Sequence, residues 1–179
     1  ADALNEEAAQ KIYAAKGRPS DNPLIVHITN MEDLLKITKN VSKEAFKVAE
    51  EYWPGPLTMI FEKNEKVPYG TTGGLNTVAV RMPSHEIARA VIDAGGGYIA
   101  APSANTSGRP SPTAAEHVKE DMDGRIDMIV DGGDVEIGVE STILDMTVTP
   151  PMILRPGAVT KEMLEDLIGE VAEDVALID

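Results

Sequence analysis

The sequence predicts an α/β fold, a mixed twisted sheet covered by helices, and three observations carry that reading. Short apolar runs of strand type alternate along the 179-residue chain with segments whose apolar residues recur at helical spacing. Glycine and proline fall between these segments and punctuate them. Hydrophobic residues make up 42% and charged residues 26%, which suits one globular domain with a sizeable core. Strand order does not follow from the pattern.

Each element has a local reason. Asn5 caps a helix running to about Ala15, with Ala8, Ala9, Ile12 and Tyr13 on one face. Gly17 stops it, and Pro19 and Pro23 bar its return. Residues 24–28 are a short apolar strand. Asn30 and Ser42 cap the next two helices, the second carrying Ala45, Phe46, Val48, Ala49 and Tyr52. Pro54-Gly55-Pro56 breaks that helix and leads into a strand at 57–61. A glycine-rich turn, 69–76, precedes a strand at 77–82. Ser84 caps a helix with Ile87, Ala88, Val91 and Ile92 inward, and Gly95-Gly96-Gly97 ends it before a strand at 98–101. Thr113 and Glu116 match a capping box for a further helix. Strands at 127–130, 142–146 and 152–155 and a helix after Thr160 complete the chain.

Composition excludes several functions. A formal net charge of −14 argues against a general nucleic-acid binder, whose affinity rests on neutralising phosphates. The acids crowd the helices and residues 162–179, while Lys16, Arg18, Arg109 and Arg155 fall in Gly/Pro-rich motifs. A concave, positively charged cleft in an acidic protein is therefore expected. Cysteine is absent, which rules out disulfides, thiolate metal sites and cysteine nucleophiles and fits a reducing, cytoplasmic setting. No 18-residue apolar run is present, so no membrane span is expected. His27, His85 and His117 lie far apart, and HExxH, paired carboxylates, a G-x-S-x-G elbow and a Walker A loop are all missing. No protein-held metal is expected, and a nucleotide would be held without a P-loop.

Two loops concentrate the chemistry. Lys16 and Arg18 straddle Gly17 at a helix exit, where cations also complement the dipole by some tenths of a kcal/mol. The following Pro19-x-x-Asn22-Pro23 rigidifies the loop, and a lysine point charge beside an arginine fork suits a polyphosphate. Ser103, Asn105 and Ser107 alternate after a strand and are expected on one side of an extended loop. Turn formers alone would give such a loop. Ligands of open α/β sheets, however, bind at strand carboxyl ends. His27 in its apolar strand reads as a core residue or a site residue. Arg81 needs an anionic partner if buried. Glu140-Ser141-Thr142, after Gly132-Gly133 and Gly138, and Arg155-Pro156-Gly157 flank strands and complete the candidates.

Six motifs in this order resemble the YrdC/Sua5 family, the threonylcarbamoyl-AMP synthases. They are Lys16-x-Arg18-Pro19-x-x-Asn22-Pro23-Leu24-Ile25-Val26-His27, Trp53-Pro54-Gly55-Pro56-Leu57-Thr58, Val80-Arg81-x-Pro83, Pro102-Ser103-Ala104-Asn105-x-Ser107-Gly108, Glu140-Ser141-Thr142 and Leu154-Arg155-Pro156-Gly157. The resemblance implies a YrdC-like domain over residues 1–169, with 170–179 a tail or the start of a linker. It implies ATP-dependent synthesis of threonylcarbamoyl-adenylate from L-threonine and bicarbonate/CO2, with release of pyrophosphate, as the first step of t6A modification of tRNA. By carry-over, Lys16, Arg18, Ser103 and Asn105 are signature residues of catalysis. Arg18, Asn22, Ser103, Asn105, Ser111 and Arg155 would line the ATP pocket, and His27, Arg81 and Ser141 would contact threonine or its carbamate. Mg2+ would bridge the phosphates, and a tRNA threonylcarbamoyl transferase complex would take the product. Family members normally carry a strand and a threonine-binding segment before the position of Ala1, so an upstream segment is expected to complete sheet and site. Two other classes stay open. One is a non-catalytic RNA-binding or ribosome-associated module, against which the charge and 4% aromatics weigh. The other is the carbamoyl-adenylate-forming domain of a hydrogenase-maturation protein, distinguished by use of carbamoyl phosphate.

Overall fold

The computed structural model describes residues 1–135 and 139–177, which leaves Gly138 of the predicted turn outside. Its elements in chain order are α1 (Glu6–Lys16), β1 (Ile25–His27), α2 (Met31–Ile37), β2 (Thr38–Lys39), α3 (Lys43–Tyr52), β3 (Leu57–Lys63), α4 (Tyr69–Thr72), β4 (Thr77–Arg81) and α5 (Glu86–Ala94). They continue with β5 (Ile99–Ala100), α6 (Ala115–Met122), β6 (Thr142–Asp145), β7 (Met152–Arg155), α7 (Lys161–Ile168) and β8 (Ala172–Glu173). A 3-10 turn, Val175–Leu177, follows.

Caps set several helix starts. Side chains of Asn5, Asn30, Ser42 and Thr160 accept from the backbone N–H groups of Ala8, Asp33, Ala45 and Met163. Gly17 closes α1 in the left-handed region, φ 64°, which favours glycine over any residue with a Cβ.

The eight strands form one mixed sheet in the order β5-β1-β4-β3-β6-β7-β8, with β2 added beside β3. β1 runs parallel to β4 and β3 parallel to β6, while β3–β4 and β6–β7 are antiparallel. The register places Val26 opposite Val80, Val80 opposite Met59, Met59 opposite Leu144 and Leu144 opposite Ile153. All five are buried, and they join Leu34, Ile37, Val48 and Leu164 from the helices in one hydrophobic core. Helices thus cover this face. Because side chains alternate along a strand, the residues between face the other way. There the burial is only partial, at Ile25, His27, Ala79, Arg81 and Ile143.

Several local expectations change. Residues 127–130 are irregular rather than a strand: Met128 and Val130 are exposed, so the run has no sheet face to cover. The capping box of Thr113 and Glu116 does not form. α6 starts after an uncapped Ala114, and the Thr113 N–H donates to His117 Nδ1 at 3.2 Å instead. His85, not Ser84, caps α5, through Nδ1 accepting from Ile87 N. That helix buries Ile92 and leaves Ile87 and Val91 exposed, and Arg89 ties it down through Pro83 O and Thr29 O at 2.9 and 3.0 Å. The glycine-rich segment 69–76 holds α4, where Gly70 N donates to Glu6 Oε2 at 2.9 Å. A Cβ at Gly70 would stand 2.5 Å from that carboxylate. Beyond Gly169, β8 pairs in parallel with β7.

Leu144 lies fully buried at the middle of the core row. Leu144→Ala is expected to cost about 2–5 kcal/mol, read as a lowered midpoint in urea with an unchanged slope.

Candidate functional site

The face of the sheet turned away from the helices carries a hollow of about 620 Å³. Its floor is Ile25, Ala79, Ile60, Ile143 and Leu154, and its walls are the loops that follow α1, β5 and the segment before β6. One row of the register crosses it. His27 stands opposite Arg81, Arg81 opposite Thr58, Thr58 opposite Ile143, and Ile143 opposite Arg155. A register shift between Ile143 and Leu144 bends β7 here. That irregularity explains how two successive residues, Leu154 and Arg155, both line the hollow. Sequence-adjacent burial and sheet register therefore collect residues from five strands.

Among the described residues the lining holds three guanidinium groups, Arg18, Arg81 and Arg155, and one carboxylate, Glu140. Arg155 is held from three sides. Its Nε donates to Ser141 O at 3.0 Å, its Nη2 to Ser141 Oγ at 3.1 Å, and its Nη1 pairs with Glu140 Oε2 at 3.0 Å. Gly157 makes this close approach possible: a Cβ there would sit 2.6 Å from Thr142 N and 2.9 Å from Glu140 O. Arg81 donates from Nε to Gly55 O at 3.2 Å. Burial, and then the charge of Arg155, pull the Arg81 pKa down from its ordinary value.

The α1 loop supplies the opposite wall. Arg18 donates from Nε to Asn22 O and from Nη2 to Pro23 O, which aims it across the hollow beside Asn22. Lys16 does something else. It is buried, and its Nζ donates to Ser103 O and, at 2.7 Å, to Asn105 O. Ser107 N closes the tie by donating to Lys16 O at 2.9 Å. Burial, then Arg18, lower the Lys16 pKa, with Asp121 opposing. Lys16 is thus a strut under the 103–107 loop rather than part of the wall.

The loop is not a one-sided array either. Ser103 and Ser107 are exposed while Asn105 turns inward, its Nδ2 donating to Thr106 O and Arg109 O, both at 2.9 Å. Asn105 Oδ1 is buried without a hydrogen-bond partner among the described residues. Ser103 and Ser111 line the hollow; Lys16 and Asn105 do not. Arg109 turns away to Asp121, at 3.2 Å. A second hollow of about 830 Å³ lies behind the same loop, between Ile12, Ala15, Met122 and Ile126. Lys16 and Ser103 line it as well, with alanines and with Lys11, Arg125 and Asp127 at its walls.

His27 sits at the inner end of the hollow, with Nδ1 3.1 Å from Ile25 O. A carbonyl only accepts, so Nδ1 carries the hydrogen and the neutral ring keeps a lone pair on Nε2. Burial, and then Arg81, push its pKa down to about 4. His27 is uncharged at neutral pH.

Known proteins share the sequence pattern and the fold. The family model Sua5/YciO/YrdC, described as telomere recombination, matches residues 1–157. The chain belongs to that family. It is 54% identical over 171 residues to a threonylcarbamoyl-AMP synthase of Pyrococcus abyssi, covering 96% of this chain and 50% of the relative. It is 52% identical over 180 residues to the Bacillus subtilis threonylcarbamoyl-AMP synthase, covering 100% of this chain and 52% of that one. The crystal structure of P. abyssi Sua5 complexed with L-threonine superposes with a TM-score of 0.96 at 53% identity, over 99% of this chain and 52% of that one. The chain spans about half the length of the curated relatives it matches.

Within this Sua5/YciO/YrdC domain, three residues at the site escaped the sequence reading of roles. In sequence Glu140 is only part of a motif, and its pairing with Arg155 depends on the fold. Gly55 and Thr58 belong to the Trp-Pro-Gly-Pro-Leu-Thr motif, whose presence was the one available signal. Their carbonyl and hydroxyl touch Arg81 and Ser141 respectively.

A histidine that resists protonation when folded favours the unfolded chain in acid. The His27 contribution to stability should therefore fall as pH drops from about 6.5 to about 4, by up to about 3 kcal/mol, and be constant below. His27→Gln is expected to flatten that dependence, as measured by urea midpoints at pH 7 and 4.5.

Proposed function

We propose that the hollow forms threonylcarbamoyl-adenylate from L-threonine, bicarbonate/CO2 and ATP, with release of pyrophosphate. The observation that carries the reading is the convergence of Arg18, Arg81 and Arg155 on one apolar-floored hollow of about 620 Å³. A site of that size takes a nucleotide and a small amino acid, and its cations face where phosphate, carboxylate and carbamate charge would lie. The names of the P. abyssi and B. subtilis relatives, and the L-threonine in the P. abyssi Sua5 structure, support the same choice.

The chemistry divides by substrate, with Arg155 reaching from the Ser141 side toward the nucleotide. Arg18, Asn22, Ser103, Ser111 and Arg155 hold the triphosphate and ribose side. His27, Arg81 and Ser141 hold threonine. The threonine amine adds to CO2 and loses a proton, giving a carbamate. A carbamate oxygen then attacks the α-phosphorus, and the bond to the β-phosphate bridging oxygen breaks to release pyrophosphate. Little acid–base work is needed at the phosphorus, so positioning and charge dominate. Uncharged His27 leaves Arg81 as the cation for the threonine carboxylate. Lys16 and Asn105 act through the loop they pin, not at the reacting atoms.

Among the described residues no grouping of three or more His, Asp or Glu is placed to hold a metal ion. The residues present do not fit a dedicated metal cage, and Mg2+ is proposed only as the counter-ion that accompanies ATP. No described helix is long and apolar enough to cross a membrane. The adenylate would pass to a tRNA threonylcarbamoyl transferase in the cytoplasm.

Pyrophosphate release from ATP, with Mg2+ and bicarbonate present, should depend on L-threonine. Release that ignores threonine but responds to carbamoyl phosphate would overturn the reading. Lys16→Ala is expected to keep its circular dichroism spectrum and lose at least about a hundredfold in this activity, since two backbone carbonyls lose their cation and the loop its strut.

A further inference from the structure

The Trp53-Pro54-Gly55-Pro56-Leu57-Thr58 motif has no part in the reaction proposed above, yet it reaches the site from beneath. Gly55 O receives Arg81 Nε, Pro56 O receives the Thr142 N–H at 3.1 Å, and Thr58 Oγ1 lies 2.7 Å from Ser141 Oγ. Thr58 has no exposed surface and does not line the hollow, whereas Ser141 does.

The direction of these hydroxyl protons follows from counting. Ser141 Oγ is the one hydrogen-bond partner of the Thr58 hydroxyl among the described residues. A buried O–H that donates to nothing is costly, so Thr58 donates. Ser141 Oγ also receives Nη2–H of Arg155 at 3.1 Å. Two donors fill the two acceptor positions of a hydroxyl oxygen. The remaining proton of Ser141 must then point away from both, and the open direction is the hollow.

We infer that Thr58, together with Arg155, fixes Ser141 as a hydrogen-bond donor facing the hollow, so that this point takes a carboxylate or carbamate oxygen and refuses an ammonium. Thr58 is a positioning residue for substrate polarity. The inference rests on the reading that the hollow holds threonine and its carbamate. It adds which end of the amino acid meets the Ser141 side: the acidic end, in line with Arg81, the register partner of Thr58.

Two measurements test it. The first is calorimetric binding of L-threonine and of L-threoninol, which replaces the carboxylate by a neutral hydroxymethyl group. Thr58→Val should lower the preference for threonine over threoninol by about tenfold, and Thr58→Ser should restore it to within about threefold. An unchanged preference in Thr58→Val overturns the inference. The second is melting, which needs no ligand. Ser141→Ala should lower Tm by about 3–6 °C, because it strands the Thr58 hydroxyl, and adding Thr58→Val should recover about half of that loss. No recovery in the double variant overturns the hydroxyl pairing on which the inference stands. If the unsubstituted chain binds no threonine, the functional reading fails, and the melting result alone decides the hydroxyl arrangement.

Discussion

The sheet is packed on one face only, and the rest of the structure depends on that constraint. Burying the row Val26, Val80, Met59, Leu144 and Ile153 under the helices fixes the register of five strands at once. A slip of one residue would turn each of those side chains out and bring polar ones in. The neighbouring row of His27, Arg81, Thr58 and Ile143 is therefore aligned by the hydrophobic effect, and the register shift in β7 adds Arg155 to it. Site geometry is the reverse side of core packing.

The cations in and under this site share a second feature. Arg18, Arg81, Arg155 and Lys16 each donate to at least one backbone carbonyl of a neighbouring loop or turn. Carbonyls hold a cation in place without cancelling its charge, which a carboxylate would do. Glu140 is the exception in the hollow, and it meets Arg155 alone. Donors so arranged can face a developing negative charge without having to reorganise. The same ties make the loops and the cations interdependent: the Ser103–Asn105 backbone leans on Lys16, and the start of β6 leans on Pro56 and Gly157.

The Trp-Pro-Gly-Pro-Leu-Thr motif gains its meaning from this scheme. It carries no charged side chain, and nothing in it faces the hollow. It supplies a carbonyl to Arg81, a carbonyl to the first residue of β6 and a hydroxyl to Ser141. A turn between a helix and the central strand thereby links Arg81 and Ser141, two arms of one wall of the hollow.

By itself the sequence determined the local elements and the inventory of the site. Caps at Asn5, Asn30, Ser42 and Thr160, the stop at Gly17 and the strand runs at Ile25, Leu57, Thr77 and Met152 are short-range effects, legible wherever a side chain meets its own backbone. The motifs named every arginine of the hollow. Tertiary structure decided the rest, because register and partner choice are long-range. It left residues 127–130 without a sheet to join, and it drew Thr113 to His117 and away from a capping box. It turned Asn105 and Lys16 into the support of a loop, and it drew Arg109 to Asp121. Most of all, it set Thr58 beneath Ser141, 83 positions away in sequence. Only the pairing of β3 with β6 brings those two hydroxyls within reach of one another.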